Sequence, residues 1–555
     1  MWESRGIRHD LGRCDRQRLR EHFSFAPLRR KYESLLEHAA LRRRARGMRS
    51  GIRRKAGFLA AAGLFDYALQ LGVPIILVRH LTTQQFGDYR LAWLVVETGL
   101  ILFPLFLPQS LFYFLSRAAP GTRPKLVGNT FASLFALGGL ATLLLLALMP
   151  VLPSSIAGLQ RHSPLVQICV GTWILASILD HLPTADGKAE WGALATIGFA
   201  LARTAALGGA AVAFGDVGWL LVVLCGLALL KVGLAVSYAL FAAQERGLGF
   251  DRQLARMQLE YSLPFAMASG FFALRAQAGQ WVVAANFPSS AFALISIASV
   301  VMAVGTLTRG PLCYALLPNI SSLVAEGNFD GARKLILRAN LLLGCMVLPA
   351  FGLVIATADD LVELIYTREY IGAVPLMQIY SLGQIVTVFG ASWLLWAFGF
   401  GRLAATIGAI SLLLSVALSI LGVQLFGLAG AVAGTIAGLV VWEWWALIKV
   451  AKALGTSIAK LIPLDQTLKI AFVVAVGVLV THIVSSELDT SVFLRLVAKS
   501  SAFMTTVLLG FVLTKVHHTV IALVRGASEE APSGAHDNTN AAHGLSRLAD
   551  PDHLR

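Results

Sequence analysis

Residues 193–230 read ALATIGFALARTAALGGAAVAFGDVGWLLVVLCGLALL, two long apolar runs joined by the short segment FGDVG. Each run approaches the roughly 20 residues that an α-helix needs to cross the hydrocarbon core of a bilayer. The stretch contains only two charged residues, Arg203 and Asp216. It therefore predicts two consecutive transmembrane helices with a tight turn between them.

The composition of the whole chain extends this pattern. Of its 555 residues, 56% are hydrophobic and only 14% are charged, whereas soluble domains carry roughly 25% charged residues. A chain this poor in charge cannot cover the surfaces of several soluble domains, so we predict an all-α polytopic membrane protein with about fourteen transmembrane helices. The predicted spans are 57–78, 91–115, 126–150, 164–182, 190–213, 216–241, 259–285, 291–318, 335–357, 371–398, 402–424, 427–448, 466–485 and 492–515.

Positive charge is unevenly distributed along the chain. The formal net charge is +15, and residues 1–55 form a strongly basic tail. Next to a hydrophobic helix, such a tail favours a cytoplasmic anchor at an anionic leaflet over nucleic-acid binding. Because Met48 is followed by the basic segment RSGIRRK, which suffices to hold the first helix in place, we expect residues 1–47 to be dispensable.

The loops show the same asymmetry. With the N-terminus in the cytoplasm, the predicted outer loops hold few basic residues: Arg79, Arg90, Arg161, Arg368 and Arg495. The predicted inner loops hold many more: Arg117, Arg123, Lys125, Lys188, Arg246, Arg252, Arg256, Arg333, Lys334, Arg338, Arg402, Lys449, Lys452, Lys460 and Lys469. The positive-inside rule, together with an even number of spans, then places both termini in the cytoplasm.

A weak internal repeat divides the chain. FGDVG at 214–218 corresponds to FGLAG at 426–430, an offset of 212 residues, and Tyr89 corresponds to Phe292 at an offset of 203. Offsets this similar predict two six-helix lobes with the substrate site at their interface. The predicted division is a basic cytoplasmic tail (1–55), a first lobe (56–245), a second lobe (255–450), helices 13 and 14 (464–516) and a disordered cytoplasmic tail (517–555).

Four basic residues lie well inside predicted spans: Arg203, Lys231, Arg275 and Arg309. Each Arg or Lys at the centre of a transmembrane helix costs about 2.5–3.5 kcal/mol on insertion scales, so these side chains should avoid lipid. They either line a cationic lumen, which suits a diphosphate because Arg binds it through paired hydrogen bonds, or they snorkel or pair for structural reasons. Glu443 lies among tryptophans, which favours an interfacial aromatic belt over a functional site.

Two acidic residues, Asp66 and Glu97, also lie within spans. A carboxyl group in a lumen is suited to the proton exchange of an ion-coupled carrier, and it is equally suited to pair with a buried cation. Gln277, Gln280 and Trp281 form a polar and aromatic stripe on one span. That stripe fits sugar recognition, and it fits hydrogen bonding between helices equally well.

The sequence offers little support for catalysis. It has no Walker loop, no GxSxG elbow and no cluster with metal-ligand spacing, and its five cysteines form no CxxC pair. No loop between the predicted spans is long enough for the extramembrane domain that a membrane polymerase or ligase usually needs. We therefore expect a transporter that is not an enzyme and that uses no cofactor and no metal.

Several segments resemble the polysaccharide-transport branch of the multidrug/oligosaccharidyl-lipid/polysaccharide exporter superfamily. LVRHLTTQQFGDYRLAW at 77–93 resembles its first outer loop, and LLPNISSLVAEGNFDGARKLILRANLL at 316–342 resembles the link between its eighth and ninth helices. LPAFGLVIATADDLVELIYTREYIGAVPLMQIYSLG at 348–383 and FGLAGAVAGTIAGLVVW at 426–442 resemble later helices in the same order. One segment departs from the family: FPLFLPQSL at 103–111 contains two prolines, which indicate a broken or kinked second helix.

This resemblance implies a Wzx-like flippase in a bacterial inner membrane. Such a protein moves a polyprenyl-diphosphate-linked oligosaccharide, the repeat unit of a lipopolysaccharide or exopolysaccharide, by alternating access of two lobes arranged in a V. The implied partners are that lipid-linked oligosaccharide, membrane lipids, and the polysaccharide polymerase and glycosyltransferases of the same pathway, with no nucleic acid. Two alternatives stay open: a multidrug or small-molecule antiporter of the same superfamily, and a membrane-embedded polymerase or ligase.

Overall fold

The computed structural model describes residues 57–119, 121–149, 157–241, 247–486 and 490–518. These residues form helices and connecting turns, with no β-strand in the described ranges. Eleven helices of this part are long and apolar enough to cross a membrane. The prediction of an all-α polytopic membrane protein is therefore confirmed, whereas the two terminal tails, 1–55 and most of 517–555, lie outside the described residues.

Helices of eight or more residues are numbered α1 to α15 in chain order. The first seven are α1 (Gly57–Leu77), α2 (Thr83–Leu102), α3 (Leu107–Leu115), α4 (Arg123–Leu148), α5 (Ser163–Ala176), α6 (Ala189–Phe214) and α7 (Val217–Phe241). The next eight are α8 (Arg252–Asn286), α9 (Ser289–Ala298), α10 (Val300–Ala325), α11 (Phe329–Tyr366), α12 (Val374–Val386), α13 (Gly401–Ala453), α14 (Leu464–Ser486) and α15 (Val492–Leu513). Shorter α-helical or 3₁₀ segments are Ala157–Arg161, Ser177–Asp180, Leu182–Ala185, Arg368–Ala373, Ser392–Trp396 and Ile458–Lys460.

The helix α13 reverses direction at Gly427, whose backbone is non-helical with φ 59° and ψ −136°. Its two halves fold back on each other, because Gly422 packs against Gly430 and the Ser419 hydroxyl donates to the Ala431 carbonyl at 2.9 Å. Residues this far apart in sequence could not touch in one straight helix. The predicted pair of spans 402–424 and 427–448 is thus present, while the total of fourteen spans stays a prediction.

The proline-rich segment 103–111 breaks the second span, as its sequence predicts. The helix α2 ends at Leu102 and α3 begins at Leu107. Between them, Leu105 and Phe106 adopt left-handed backbone conformations with φ 48° and 61°. Two consecutive non-glycine residues in this region are strained, and the break is stabilised by the stacking of Phe106 on Phe265 of α8 at 5.5 Å.

The helices pack in two groups. In the first helix group (α1–α7, 57–241), α5 packs against α2, α4 and α7, and α6 packs against α7. In the second helix group (α8–α13, 252–453), α8 packs along α13, and α11 contacts both α10 and α12. The division of the chain into lobes at 56–245 and 255–450 is a proposal that these contacts support.

The bundle has two opposite faces, each defined here by the glycines in its turns. The Gly121 face carries the loops at Gly121, Gly327 and Gly455, and the Gly427 face carries the turns at Gly215 and Gly427. Successive spans run between these faces in alternating directions, with α2 and α3 forming one span, α9 and α10 forming another, and α13 making two passes, which is the arrangement expected of a polytopic bundle with short connections.

The C-terminal helix pair, α14 and α15, packs on α11 through a charged cluster. Lys499 of α15 lies 2.8 Å from Asp359 and 2.6 Å from Asp360, and Arg495 lies 3.1 Å from Glu363. Arg495 was expected in an outer loop, but it lies in the first turn of α15. The pair is therefore held on the second helix group by ion pairs as well as by apolar contacts.

Candidate functional site

A cavity of about 240 Å³ lies between the two helix groups. It is nearer the Gly427 face, since its lining comes from the end of α1, the start of α2 and the α9–α10 junction. The lining residues from the first group are Tyr67, Gln70, Leu71, Val73, Pro74, Phe86, Tyr89, Arg90, Trp93, Glu97, Arg203, Leu207 and Leu224. Those from the second group are Ser296, Ile297, Ser299, Val300, Ala303 and Tyr366.

Two arginines and one glutamate carry the charge of this lining. Arg203 of α6 forms an ion pair with Asp66 of α1, with Nη2 2.9 Å from Oδ1. Gln70, one turn along α1, donates to the other oxygen of Asp66 at 2.8 Å. Arg90 makes no hydrogen bond and no ion pair with any residue that the structure describes. The cavity thus presents one arginine that is already neutralised and one, Arg90, whose hydrogen-bond donors have no partner among the described residues, although its charge acts on Glu97 two turns further along α2.

Glu97 connects the cavity to the contact between the two helix groups. Its carboxylate accepts a long hydrogen bond from the Gln277 amide of α8 at 3.5 Å. The adjacent Thr98 hydroxyl donates to the Gln277 oxygen at 3.0 Å and accepts from the Trp281 indole at 3.0 Å. Gln277 and Trp281 therefore form hydrogen bonds between α8 and α2 in this structure. Their sequence spacing allowed this role as well as sugar recognition.

The Gly427 face is closed above the cavity. Gly87 of α2 packs against the backbone of Ser289 in α9 so closely that a Cβ would collide with the Ser289 carbonyl. The Ser289 hydroxyl donates to Asp88, and the ring of Phe86 meets that of Tyr370 edge-on at 5.9 Å. These contacts separate the cavity from the Gly427 face.

Near the Gly121 face, the start of α8 joins the second helix group to the first. Asp251 caps α8 by accepting from the Gln253 and Leu254 backbone, and Lys125 of α4 lies 3.3 Å from its carboxylate. The Leu254 backbone hydrogen bond and then the Lys125 contact lower the pKa of Asp251, which lies outside the membrane-spanning segments. Asn129 of α4 donates to the Asp251 carbonyl at 3.0 Å. The start of α8 is thereby fixed to α4.

The structure does not bring the four predicted lumen cations together. Arg203 lines the cavity, but Lys231 lies within the first helix group, paired with Asp180 at 2.7 Å and packed over the Trp173 and Phe199 rings. Lys231 therefore forms a structural ion pair, which is the alternative to a role in the lumen that the sequence left open. Its direct role in binding a substrate stays a prediction, and we leave it out of the proposed site.

Arg275 and Arg309 lie within the second helix group. Arg275 is only 2% exposed and stacks on Phe272, and Arg309 lies 3.6 Å from Glu443 of α13. Neither lines the cavity. Gln280, the remaining member of the predicted sugar-binding stripe, is half-buried and makes no side-chain hydrogen bond with a described residue. The predictions that these residues bind substrate also stay open.

Sequence reasoning missed Arg90 as a site residue. It was assigned to an outer loop, whereas it lies two turns into α2 and lines the cavity. The signal that could have found it is the capping box at Thr82 and Gln85, which begins a helix about eight residues earlier than the apolar run alone suggests. In the described part of the chain, no group of three or more His, Cys, Asp or Glu is arranged to hold a metal ion.

The sequence of this chain matches a known protein family. A family model described as "Polysaccharide biosynthesis protein" matches residues 76–375, more than half of the chain. No curated protein matches the sequence.

Solved structures with a similar fold are transporters. A lipid II flippase, MurJ, in an inward closed conformation, matches with a TM-score of 0.62 and 12% identity, covering 82% of this chain and 98% of its own. An inward-facing multidrug resistance transporter of the MATE family matches with a TM-score of 0.55 and 14% identity, covering 71% of this chain and 96% of its own. A transporter from Pyrococcus furiosus matches with a TM-score of 0.51 and 12% identity, over 73% of this chain and 96% of its own. At such identities the likeness concerns the fold.

Proposed function

Because the chain belongs to the polysaccharide biosynthesis protein family, in the polysaccharide-transport branch of the multidrug/oligosaccharidyl-lipid/polysaccharide exporter superfamily, we propose that it is a flippase for a lipid-linked oligosaccharide. Its cargo is a polyprenyl-diphosphate-linked repeat unit of a cell-surface polysaccharide, which crosses a bacterial inner membrane by alternating access. The observation that carries this proposal is the cavity between the helix groups, in which Arg90 is available for an anion beside Arg203.

The diphosphate is the part of the cargo that opposes translocation most strongly. Moving its charges into a low-dielectric region without compensation costs many kcal/mol. Arg90 and Arg203 supply positive charge within the bundle, and the planar guanidinium group binds phosphate oxygens through two parallel hydrogen bonds. Asp66 holds Arg203 in position, so this arginine reaches the cavity in a defined orientation.

The rest of the lining suits the sugar next to the diphosphate. Tyr67, Tyr89 and Trp93 supply aromatic faces, and Gln70 with Ser299 supplies amide and hydroxyl groups. Aromatic faces pack on the apolar face of a sugar ring, and the polar groups pair with its hydroxyls. This set replaces the stripe of Gln277, Gln280 and Trp281 as our proposed sugar-binding surface.

Alternating access requires the closed Gly427 face to open. We assign the Gly427 face to the outside and the Gly121 face to the cytoplasm, because the loops of the Gly121 face hold most of the loop arginines and lysines. Release of cargo to the outer leaflet then requires α2 and α9 to separate at Gly87 and Ser289. The lobe-like packing of the two helix groups is what allows such a movement.

Ion coupling is assigned to Glu97 rather than to Asp66. Asp66 already accepts from Arg203 and Gln70, which leaves it little freedom to exchange an ion. Glu97 faces the cavity, and its one side-chain contact to the second group, with Gln277, is long. A carboxyl group in this position can exchange a proton when the neighbouring charge changes.

The two alternatives fit the cavity less well. A drug antiporter for cationic compounds needs an acidic site that is not already compensated, and here Arg203 neutralises Asp66 while the charge of Arg90 acts on the lining glutamate, Glu97. A polymerase or ligase needs an acceptor domain outside the membrane, and the connections between helices in the described ranges are short. The matched solved structures are transporters, which agrees with a protein that is not an enzyme.

A binding experiment tests the proposal. Full-length protein in neutral detergent is titrated with farnesyl diphosphate and farnesyl phosphate as soluble probes. We expect the diphosphate to bind more tightly, and Arg90→Gln to weaken its binding roughly tenfold or more. The matched control is Arg161→Gln, an exposed arginine outside the cavity, which should bind like the wild type. Equal binding of both probes by wild type and Arg90→Gln would contradict the proposed function.

A further inference from the structure

Arg275 of α8 is a buried cation that makes no side-chain hydrogen bond with a described residue. Its side chain is 2% exposed, and its Nε and Nη1 have no hydrogen-bond partner among the described residues. The guanidinium carbon lies 5.2 Å from the centre of the Phe272 ring and 5.9 Å from that of Trp442. Aromatic faces attract a cation, but they accept no conventional hydrogen bond from its N–H groups.

Glu443, the carboxylate whose charge acts on Arg275, is already engaged. It is 4% exposed, lies 3.6 Å from Arg309 and accepts the Ser392 backbone N–H at 3.1 Å. Arg309 also donates to the Gly390 carbonyl at 3.5 Å. Two arginines therefore share one glutamate, which leaves the group of Arg275, Arg309 and Glu443 with one uncompensated positive charge in the membrane interior. Burying such a charge is strongly unfavourable unless a counter-ion is bound.

A further unused donor lies on the ring that packs against Arg275. The indole N–H of Trp442, whose ring lies 5.9 Å from the Arg275 guanidinium carbon, has no acceptor among the described residues. A group that satisfies this donor and those of Arg275 must accept hydrogen bonds and carry negative charge. It must also be small, because the surroundings are tightly packed: a Cβ at Gly408 would lie 3.0 Å from the Trp442 ring and 3.3 Å from Phe271.

We propose that Arg275, together with Trp442, binds a single halide ion, chloride in the cell, within the second helix group. The ion compensates the excess charge of the two arginines and holds α8 against α13. This site is separate from the cavity, because neither Arg275 nor Trp442 is among the cavity-lining residues. The proposal does not depend on the identity of the transported cargo.

The test measures thermal stability of the full chain in neutral detergent, without cargo, in sodium chloride, sodium bromide or sodium gluconate at equal ionic strength. For the wild type we expect a saturable increase of Tm with either halide, of about 2 °C or more relative to gluconate. Arg275→Gln should lose this increase. Arg90→Gln, which removes the available cavity arginine, should keep it, and this control separates the halide site from the proposed cargo site.

A second variant decides the question even if Arg275→Gln does not fold. Glu443→Gln keeps an acceptor for the Ser392 N–H but removes the negative charge of the group formed by Arg275, Arg309 and Glu443, so halide should bind more tightly and saturate at a lower concentration. Bromide should also give an anomalous diffraction signal beside Arg275. A wild-type Tm that is the same in all three salts, as expected if only water occupies the position, would overturn the proposal. So would a halide effect that is unchanged in Arg275→Gln, or weaker in Glu443→Gln.

Discussion

Asp66 and Arg203 form an ion pair of 2.9 Å that joins α1 to α6 at the edge of the cavity between the two helix groups. The pair is largely buried, with 22% and 12% of the two side chains exposed. It leaves Arg90 as the cavity arginine with no hydrogen bond or salt bridge in the described part of the chain, although its charge acts on Glu97 of the same helix. The cavity therefore combines a cation that Asp66 holds in place with one whose hydrogen-bond donors have no partner among the described residues.

The first prediction concerns the stability of this pair. Asp66→Asn leaves Arg203 buried without a counter-charge, and Arg203→Gln leaves Asp66 in the same situation, so each should lower the Tm of the detergent-purified protein. The double variant should be more stable than the sum of the two losses predicts, with a coupling energy of about 1–3 kcal/mol. Additive losses would show that the two side chains do not interact in the membrane protein.

A second prediction concerns the closed Gly427 face. Asp88 and Ser289 are hydrogen-bonded across α2 and α9, so the double variant Asp88→Cys, Ser289→Cys should form a disulfide under mild oxidation. Because α2 and α9 must separate to release cargo, the oxidised protein should export no glycan, and a reducing agent should restore export. The single-cysteine variants serve as controls. Normal export by the fully oxidised protein would show that this face does not open.

A third prediction tests the orientation. Single cysteines at Gly121 and Gly327, on a background without native cysteines, should be shielded from a membrane-impermeant thiol reagent in intact cells. A cysteine at Arg368, which is exposed on the opposite face, should react. Arg368 is preferred to Ser289 for this purpose, because Ser289 is only 7% exposed. Reaction at Gly121 with protection at Arg368 would reverse the assigned orientation.

A fourth prediction concerns the C-terminal helix pair. Lys499 is 2% exposed and lies 2.6 Å from Asp360, which is fully buried. Lys499→Ala leaves Asp360 with Arg495 as its remaining partner, so the change should cost less than the about 3–5 kcal/mol of an uncompensated buried charge and should loosen α15 from α11. Limited proteolysis between α14 and α15 and a lower Tm should report the change. The matched control is Lys469→Ala, an ion pair within a single exposed turn, which should have little effect.

The fold was predictable because lipid imposes long apolar helices, and those leave a strong signal in the sequence. The repeat around FGDVG and FGLAG likewise marked turns that the structure contains at Gly215 and Gly427. Apolar runs do not show where a helix begins when its first turns are polar. That is why Arg90, which follows the capping box of α2, was assigned to a loop.

The site was less predictable than the fold. The cost of a charge in lipid identified Arg203, Lys231, Arg275 and Arg309 as residues that avoid lipid, but it does not distinguish a cavity from a buried partner. Which of these applies depends on contacts between helices distant in sequence, such as Arg203 with Asp66 and Arg309 with Glu443. Sequence spacing does not report those contacts.

Glycan export by Arg90 variants tests the central claim most directly. In a strain lacking the chromosomal gene, variants are compared at equal membrane abundance, with Arg161→Ala as the exposed control. We predict that Arg90→Ala stops surface glycan export and that lipid-linked intermediate accumulates on the cytoplasmic leaflet. Arg90→Lys should restore export only in part, because lysine keeps the charge but loses the planar fork. Wild-type export by Arg90→Ala, without accumulation of the intermediate, would contradict the account.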